Sequence, residues 1–229
     1  MTNMAEIKYV LGINAYHGDS SACLIKDGKL VAALEEERIR RIKHWAGFPS
    51  ESIKFCLNFA GIGIKDIDYI TIGRKPKAHT LERIIFVLKN RPDFSFLIDR
   101  IKNRQRVKNI KQEFIEVFDL KPEELKAQFF EVEHHDAHLA SAFFVSPFDK
   151  AAVLSVDGMG DFISTMWGIG NSNSIKTIGH ITYPHSLGFF YTAITQYLGF
   201  WKWGDEYKVM GLSAFGKPVY LDKMRQMIK

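Results

Sequence analysis

Within His134-His135-Asp136-Ala137-His138, two histidines stand four residues apart. If this stretch is helical, His134 and His138 project from one face and can share a metal ion. Asp157, at the end of the apolar run Ala151-Ala152-Val153-Leu154-Ser155-Val156 and just before Gly158, is a candidate third ligand at a strand end. Three nitrogen or oxygen donors with an open position suit a catalytic divalent site better than a closed structural one. A peptidase-type zinc helix needs Glu at position 135, where this chain has His, so hydrolysis by that route is not expected. The other reading of the same residues is hydrogen-bonded surface or core histidines, with Asp157 capping a turn.

Elements must deliver these groups to one place. The runs Lys8 to Asn14, Ser20 to Ile25 and Lys29 to Leu34 predict three strands, the last two joined by a tight turn at Asp27-Gly28. A helix is predicted from Pro49 to about Ala60, ended by Gly61. Asp68 to Ile72 reads as a strand, Leu81 to Val117 as helical with a break at Pro92, and Gln128 to Val132 as a short strand leading into the His134 helix, which Pro147 closes. From Ala151 the pattern restarts, with strands over Ala151 to Val156, Phe162 to Ile169 and Ile175 to Ile181, a turn at Asn171-Ser172-Asn173-Ser174, and a helix from about Leu187 to Tyr197. The order of elements is a weak internal repeat, complete in its first copy and incomplete in its second.

The chain has 229 residues, 46% of them hydrophobic, enough to bury a sizeable core as one large domain or two small ones. No apolar run has the length of a membrane span and the amino terminus lacks the blocks of an export signal, so the expectation is a cytoplasmic protein with no membrane association. Cys23 and Cys56 fit buried reduced thiols better than a disulfide framework. Nine Lys and Arg against two Asp between Arg83 and Lys111 give that segment +7, so the remainder of a chain of net charge +5 is slightly acidic. This basic helical insert reads either as a solvated helix face or as a stripe for phosphate groups or nucleic acid. Aromatic residues are not interleaved with its charges, and nucleic acid is not the favoured partner.

The segments Leu11-Gly12-Ile13-Asn14-Ala15-Tyr16-His17-Gly18-Asp19-Ser20-Ser21-Ala22, Glu35-Glu36-Glu37-Arg38, His134-His135-Asp136-Ala137-His138, Ser155-Val156-Asp157-Gly158 and Gly204-Asp205-Glu206-Tyr207-Lys208-Val209-Met210-Gly211-Leu212 occur in this order over nearly the whole chain. Together they resemble the amino-terminal part of the nodulation and antibiotic O-carbamoyltransferases. The resemblance implies an α/β, actin-like ATPase fold of duplicated ribonuclease H-like halves, as in the tRNA threonylcarbamoyl transferases. The first half would span residues 1–150, with the basic insert at about 79–118, and the start of a truncated second half would span 151–229. In such enzymes an adenylating carboxy-terminal domain, not expected within this chain, makes carbamoyl-adenylate from ATP and carbamoyl phosphate. The actin-like part then passes the carbamoyl group to a hydroxyl of a sugar or other small molecule. The missing region would act in cis or in trans, and self-association is a further expectation.

By the same resemblance His134, His138 and Asp157 are metal ligands, with a fourth carboxylate beyond this chain. Iron is favoured on family grounds; zinc, magnesium and manganese are the alternatives, and ATP is the nucleotide. His17 is expected to donate to a carbamoyl or phosphate oxygen, with Asp19, Ser20, Ser21 and Gly158 around the ligand; the competing reading of His17 and Asp19 is a polar turn. Asp205 is a candidate general base and Lys208 a phosphate ligand, or a helix cap and a surface charge. Tyr197, Phe200, Trp201 and Trp203 read either as a wall for a sugar ring or as core. The Glu35-Glu36-Glu37-Arg38 run is expected to be solvated. The alternative to catalysis is a nucleotide- and metal-binding module without turnover, or a protein related to tRNA modification.

Overall fold

A computed structural model describes residues 7–90 and 110–228. Three antiparallel strands come first: β1 (Tyr9–Asn14), β2 (Ser21–Lys26) and β3 (Lys29–Glu35). The β2–β3 turn is made by Asp27 and Gly28, both with positive φ, as the Asp-Gly pair predicted. A short helix, α1 (Glu36–Arg40), and then α2 (Ser50–Ala60) follow, and α2 ends on Gly61 in the left-handed conformation. The strand β4 (Tyr69–Ile72), helices α3 (Thr80–Asn90) and α4 (Ile110–Val117), strand β5 (Gln128–Glu131) and helix α5 (His134–Phe143) complete the first half. The predicted break at Pro92, and residues 91–109 of the basic insert, lie outside the described residues.

The first sheet has the order β3-β2-β1-β4-β5. Its β1 is antiparallel to β2 and parallel to β4, and β4 is parallel to β5. This is the strand order and direction of a ribonuclease H-like half: a meander whose first strand is extended by crossovers on its far side. Alternation along β1 and β4 sends Leu11, Ile13, Ile70 and Ile72 into one core with Ile53, Cys56 and Leu57 of α2 and Phe114 of α4. Burial there pushes the Cys56 thiol up to about 11.

The second sheet is the meander β6 (Lys150–Gly160), β7 (Ile163–Asn171) and β8 (Ser174–Thr182). Helices α6 (Leu187–Tyr197), α7 (Glu206–Ser213) and α8 (Leu221–Met227) follow it. One face of β6 packs Val153 against Leu139 and Phe143 of α5, while Leu154 and Val156 on the other face are exposed. The chain is thus an α/β fold in which a second antiparallel meander follows the first sheet.

Two expectations change. Helix α5 stops at Phe143, ahead of Pro147, because the chain turns at Ser146 with its hydroxyl donating to Phe143 O. The Glu35-Glu36-Glu37-Arg38 run is not simply solvated: Glu36 is fully buried. Its carboxylate accepts the backbone N–H groups of Ser52 at 2.8 Å and Glu51 at 3.1 Å and pairs with Arg40 at 2.6 Å. Glu36 therefore serves the open N–H groups at the start of α2, a position Pro49 cannot cap with a side chain.

Candidate metal centre

Strand β6 extends beyond the predicted end, to Gly160, but its ladder to β7 breaks between Val156 and Gly160. Asp157 and Gly158 sit in this irregular stretch, which frees the Asp157 carboxylate from the regular alternation and turns it toward α5. Gly158 N–H donates to Asp157 Oδ1 at 2.6 Å and fixes the carboxylate from behind. The start of α6 presses on the same backbone: Ser186 donates to Gly158 O at 2.7 Å, and a Cβ on Gly188 would lie 2.5 Å from Gly158 N.

Helix α5 brings the two imidazoles. His134 Nε2 lies 2.8 Å from Asp157 Oδ2 and 3.0 Å from His138 Nε2, and His138 Nε2 is 3.9 Å from Asp157 Oδ2. Two imidazole nitrogens and one carboxylate oxygen thus converge on one point. As protein groups alone they conflict: both nitrogens point at each other, and the His134 Nε2–H can satisfy one acceptor well, not two. A divalent cation in place of that proton satisfies all three donors, and two imidazoles with one carboxylate are a set that iron or zinc accepts with positions left open. The residues present therefore fit a metal.

Electrostatics agree with the geometry. Hydrogen bonding from His134, helped by Gly158 N–H and the neighbouring imidazoles and opposed by burial, holds the Asp157 carboxyl far below the usual range. Burial works against the His134 imidazolium, but the Asp157 hydrogen bond and the charges of Asp157, Asp161 and Glu133 together lift it above its ordinary value. Burial and the neighbouring His134 depress His138.

Residues that sequence reasoning passed over hold the helix in place. Asp161, in the β6–β7 turn, accepts from His134 N–H at 3.1 Å and from Lys75 N–H at 2.6 Å, while Glu133 accepts from Asp136 N–H at 2.7 Å. Two carboxylates at the positive end of α5 complement its dipole. The signal for Asp161 was a carboxylate directly after Gly-Met-Gly, between two predicted strands. The middle histidine of the motif, His135, faces away and is fully buried. Its Nε2–H donates to Ile163 O and its Nδ1 accepts from Ser155 Oγ, each at 2.9 Å, so it bolts α5 to β6 and β7.

The loop after β1 adds His17, whose ring lies 5.9 Å from that of His134. Asp19 is engaged by His44 Nδ1 at 2.9 Å. Ser20 is buried and donates to Gly47 O at 2.8 Å, and Ser21 belongs to the β2 ladder opposite Asn14; the structure does not turn either toward the imidazoles. Asp205 Oδ1 pairs with Lys208 at 2.6 Å, while its Oδ2 accepts from Lys202 N–H, and the Lys208 ammonium lowers the Asp205 carboxyl. Just before Asp205, Trp203 closes over the His17 loop: a Cβ on Gly18 would meet the indole at 2.1 Å, and the ring stands edge-on to His44 at 4.8 Å. Tyr197, Trp201 and Trp203 are largely exposed and so are not core among the described residues.

Comparison with known proteins agrees with the motif order. The chain is 42% identical over 221 residues to the uncharacterized protein sll1178 of Synechocystis sp., covering 93% of this chain and 36% of that protein. It is 35% identical over 205 residues to the nodulation protein NolNO of Sinorhizobium fredii, covering 90% of this chain and 29% of that protein. The chain thus spans about a third of the length of these curated relatives. A solved structure of YeaZ from Pseudomonas aeruginosa is 14% identical, with a TM-score of 0.40 over 77% of this chain and 68% of that one, too loose a likeness to add to what the strand order says. The family model described as carbamoyltransferase N-terminus matches residues 9–229, and the chain belongs to that family.

Proposed function

We propose that this chain is the actin-like part of an enzyme that transfers a carbamoyl group, supplied as carbamoyl-adenylate made from ATP and carbamoyl phosphate, to a hydroxyl of a sugar or other small molecule. The observation that carries the reading is the convergence of His134, His138 and Asp157 beside His17, in a member of the carbamoyltransferase N-terminus family. A divalent cation held by those three residues, iron(II) in first place, with zinc, magnesium or manganese as alternatives, supplies Lewis-acid polarisation of the carbamoyl oxygen.

The chain's own residues do the rest. Asp157, kept ionised by His134, balances the charge of the site. His17 donates a hydrogen bond to the oxygen on which negative charge develops as the acceptor hydroxyl adds to the carbamoyl carbon. The new C–O bond forms, the bond to the adenylate phosphate oxygen breaks, and AMP departs with that electron pair. Asp205, held beside Lys208, takes the hydroxyl proton. Trp203, exposed beside the His17 loop, offers a flat apolar face for the acceptor.

The test follows AMP and carbamoylated product in the protein as it occurs in its cells, given ATP, carbamoyl phosphate and a panel of sugars. Substituting His134→Ala or His138→Ala is expected to lower product formation by about a hundredfold or more, since metal and oxyanion stabilisation contribute on that scale. Undiminished transfer in both variants overturns the reading.

A further inference from the structure

A second group of potential ligands lies about the start of α3. His79, Glu82 and His180 bring one ligand atom each to within 4.8 Å of one another. His79 Nδ1 is 3.8 Å from Glu82 Oε1, and the ring of His180, on β8, lies 5.1 Å from that of His79. A gap of 3.8 Å is too wide for a hydrogen bond but less than two zinc–ligand bonds of about 2.1 Å laid end to end. The spacing suits donors that share an ion better than donors that share a proton.

An independent observation points to the same place. Glu133 is 7% exposed, and its Oε1 has no hydrogen-bond partner among the described residues, although its Oε2 accepts from Asp136 N–H. A buried carboxylate oxygen left without a donor costs free energy. This one faces the other nitrogen of the same imidazole: Glu133 Oε1 is 3.8 Å from His79 Nε2. A metal-bound imidazole almost always gives its second N–H to a carboxylate, which orients the ring and makes it a better ligand. Arg83, the nearby cation, is directed to Asp161 at 3.8 Å and lies over the Phe162 ring.

We propose that His79, Glu82 and His180 form a second divalent-cation site, distinct from that of His134, His138 and Asp157, with Glu133 as the buried outer carboxylate that faces His79 Nε2 at 3.8 Å. Two imidazoles and one carboxylate select a borderline ion such as zinc over magnesium or calcium. Its role is a staple. No described side chain of α3 is buried: Leu81, Ile84, Ile85 and Leu88 are exposed, and Phe86 rests edge-on against Phe162 and Tyr183, so an ion would add to a partial anchor. An ion between His79, Glu82 and His180 ties this root of the basic insert to β8. Because Glu133 also caps α5, the same ion orders the start of the helix that carries His134 and His138.

The test is a titration of the metal-free protein with cobalt(II), a spectroscopic substitute for zinc, reading bound equivalents from d–d absorption and from equilibrium dialysis. The unsubstituted protein is expected to bind one equivalent more than His180→Ala and one more than Glu82→Gln, whereas His138→Ala keeps the equivalent that depends on His180. His180 is exposed on its strand, so its removal leaves the fold intact, and circular dichroism checks this. Equal binding by the unsubstituted protein, His180→Ala and Glu82→Gln overturns the second site. Loss of no equivalent in His138→Ala instead overturns the first site alone, so the two readings fail separately.

Discussion

The imidazole of His134 fills the space that a side chain on Gly160 would need: a Cβ there would lie 1.9 Å from His134 Cδ2. Gly160 is also where the β6–β7 ladder resumes after the irregular stretch that carries Asp157. One glycine thus lets the strand of Asp157 and the helix of His134 meet. Substituting Gly160→Ala must push the ring away from Asp157. Binding of manganese(II) or zinc at this site is expected to weaken at least tenfold, with the fold retained, as isothermal titration would show. Unchanged affinity would mean that His134 is not a ligand.

The two neighbouring histidines of the motif should separate cleanly. His135→Ala leaves Ile163 O and Ser155 Oγ without their partner in a fully buried place, which should cost about 2–4 kcal/mol of stability. His138, with an exposed side chain, should cost little when replaced by Ala but remove a ligand. Urea unfolding beside metal titration checks both; a stability loss in His138→Ala equal to that in His135→Ala would contradict the assignment.

Glu36 makes stability depend on acid. Burial opposes its charge, yet the Ser52 and Glu51 N–H groups and Arg40 hold its carboxyl below the ordinary value of 4.5. A depressed carboxyl contributes stability that is present above its unfolded value and lost as pH falls through its folded value. Removing the charge in Glu36→Gln should therefore lower stability at pH 7 by about 1–3 kcal/mol and flatten the loss on acidification below about 4.5. Urea midpoints at pH 7 and pH 4 measure this; parallel losses in both proteins would assign the acid sensitivity elsewhere.

Trp203 ties the loop before α7 to the loop that holds His17. Replacing it by Ala removes the contact with Gly18 and His44 and the flat face beside the site. In the proposed reaction KM for the acceptor should rise about fivefold, in keeping with about 1 kcal/mol for an aromatic contact, with kcat much less affected. A fall in kcat with unchanged KM would place the indole in the chemistry instead.

Much of the frame was legible because its signals are local. Asp27-Gly28 marked the hairpin, Gly61 the end of α2, and Leu187 to Tyr197 the helix α6, since each depends on backbone preferences of a few adjacent residues. Glu36 was misread for the opposite reason. Nothing in a run of charges says that one of them turns inward, since its partners Ser52 and Glu51 belong to another helix.

The sequence by itself determined the pairing of His134 with His138, because one turn of α-helix sets side chains four residues apart on one face. It also determined the order of strands and helices and, through five short motifs, the family. The tertiary structure then set the Asp157 carboxylate, which the sequence had offered, against His134 and the His17 ring beside it, and it alone showed that His135 is a buried bolt and that Asp161 and Glu133 cap the helix. The physical reason is the range of the forces involved: helix spacing is set within one turn. Which carboxylate is desolvated beside which imidazole depends on a break in a strand ladder, and that break is stabilised by packing between distant parts of the chain.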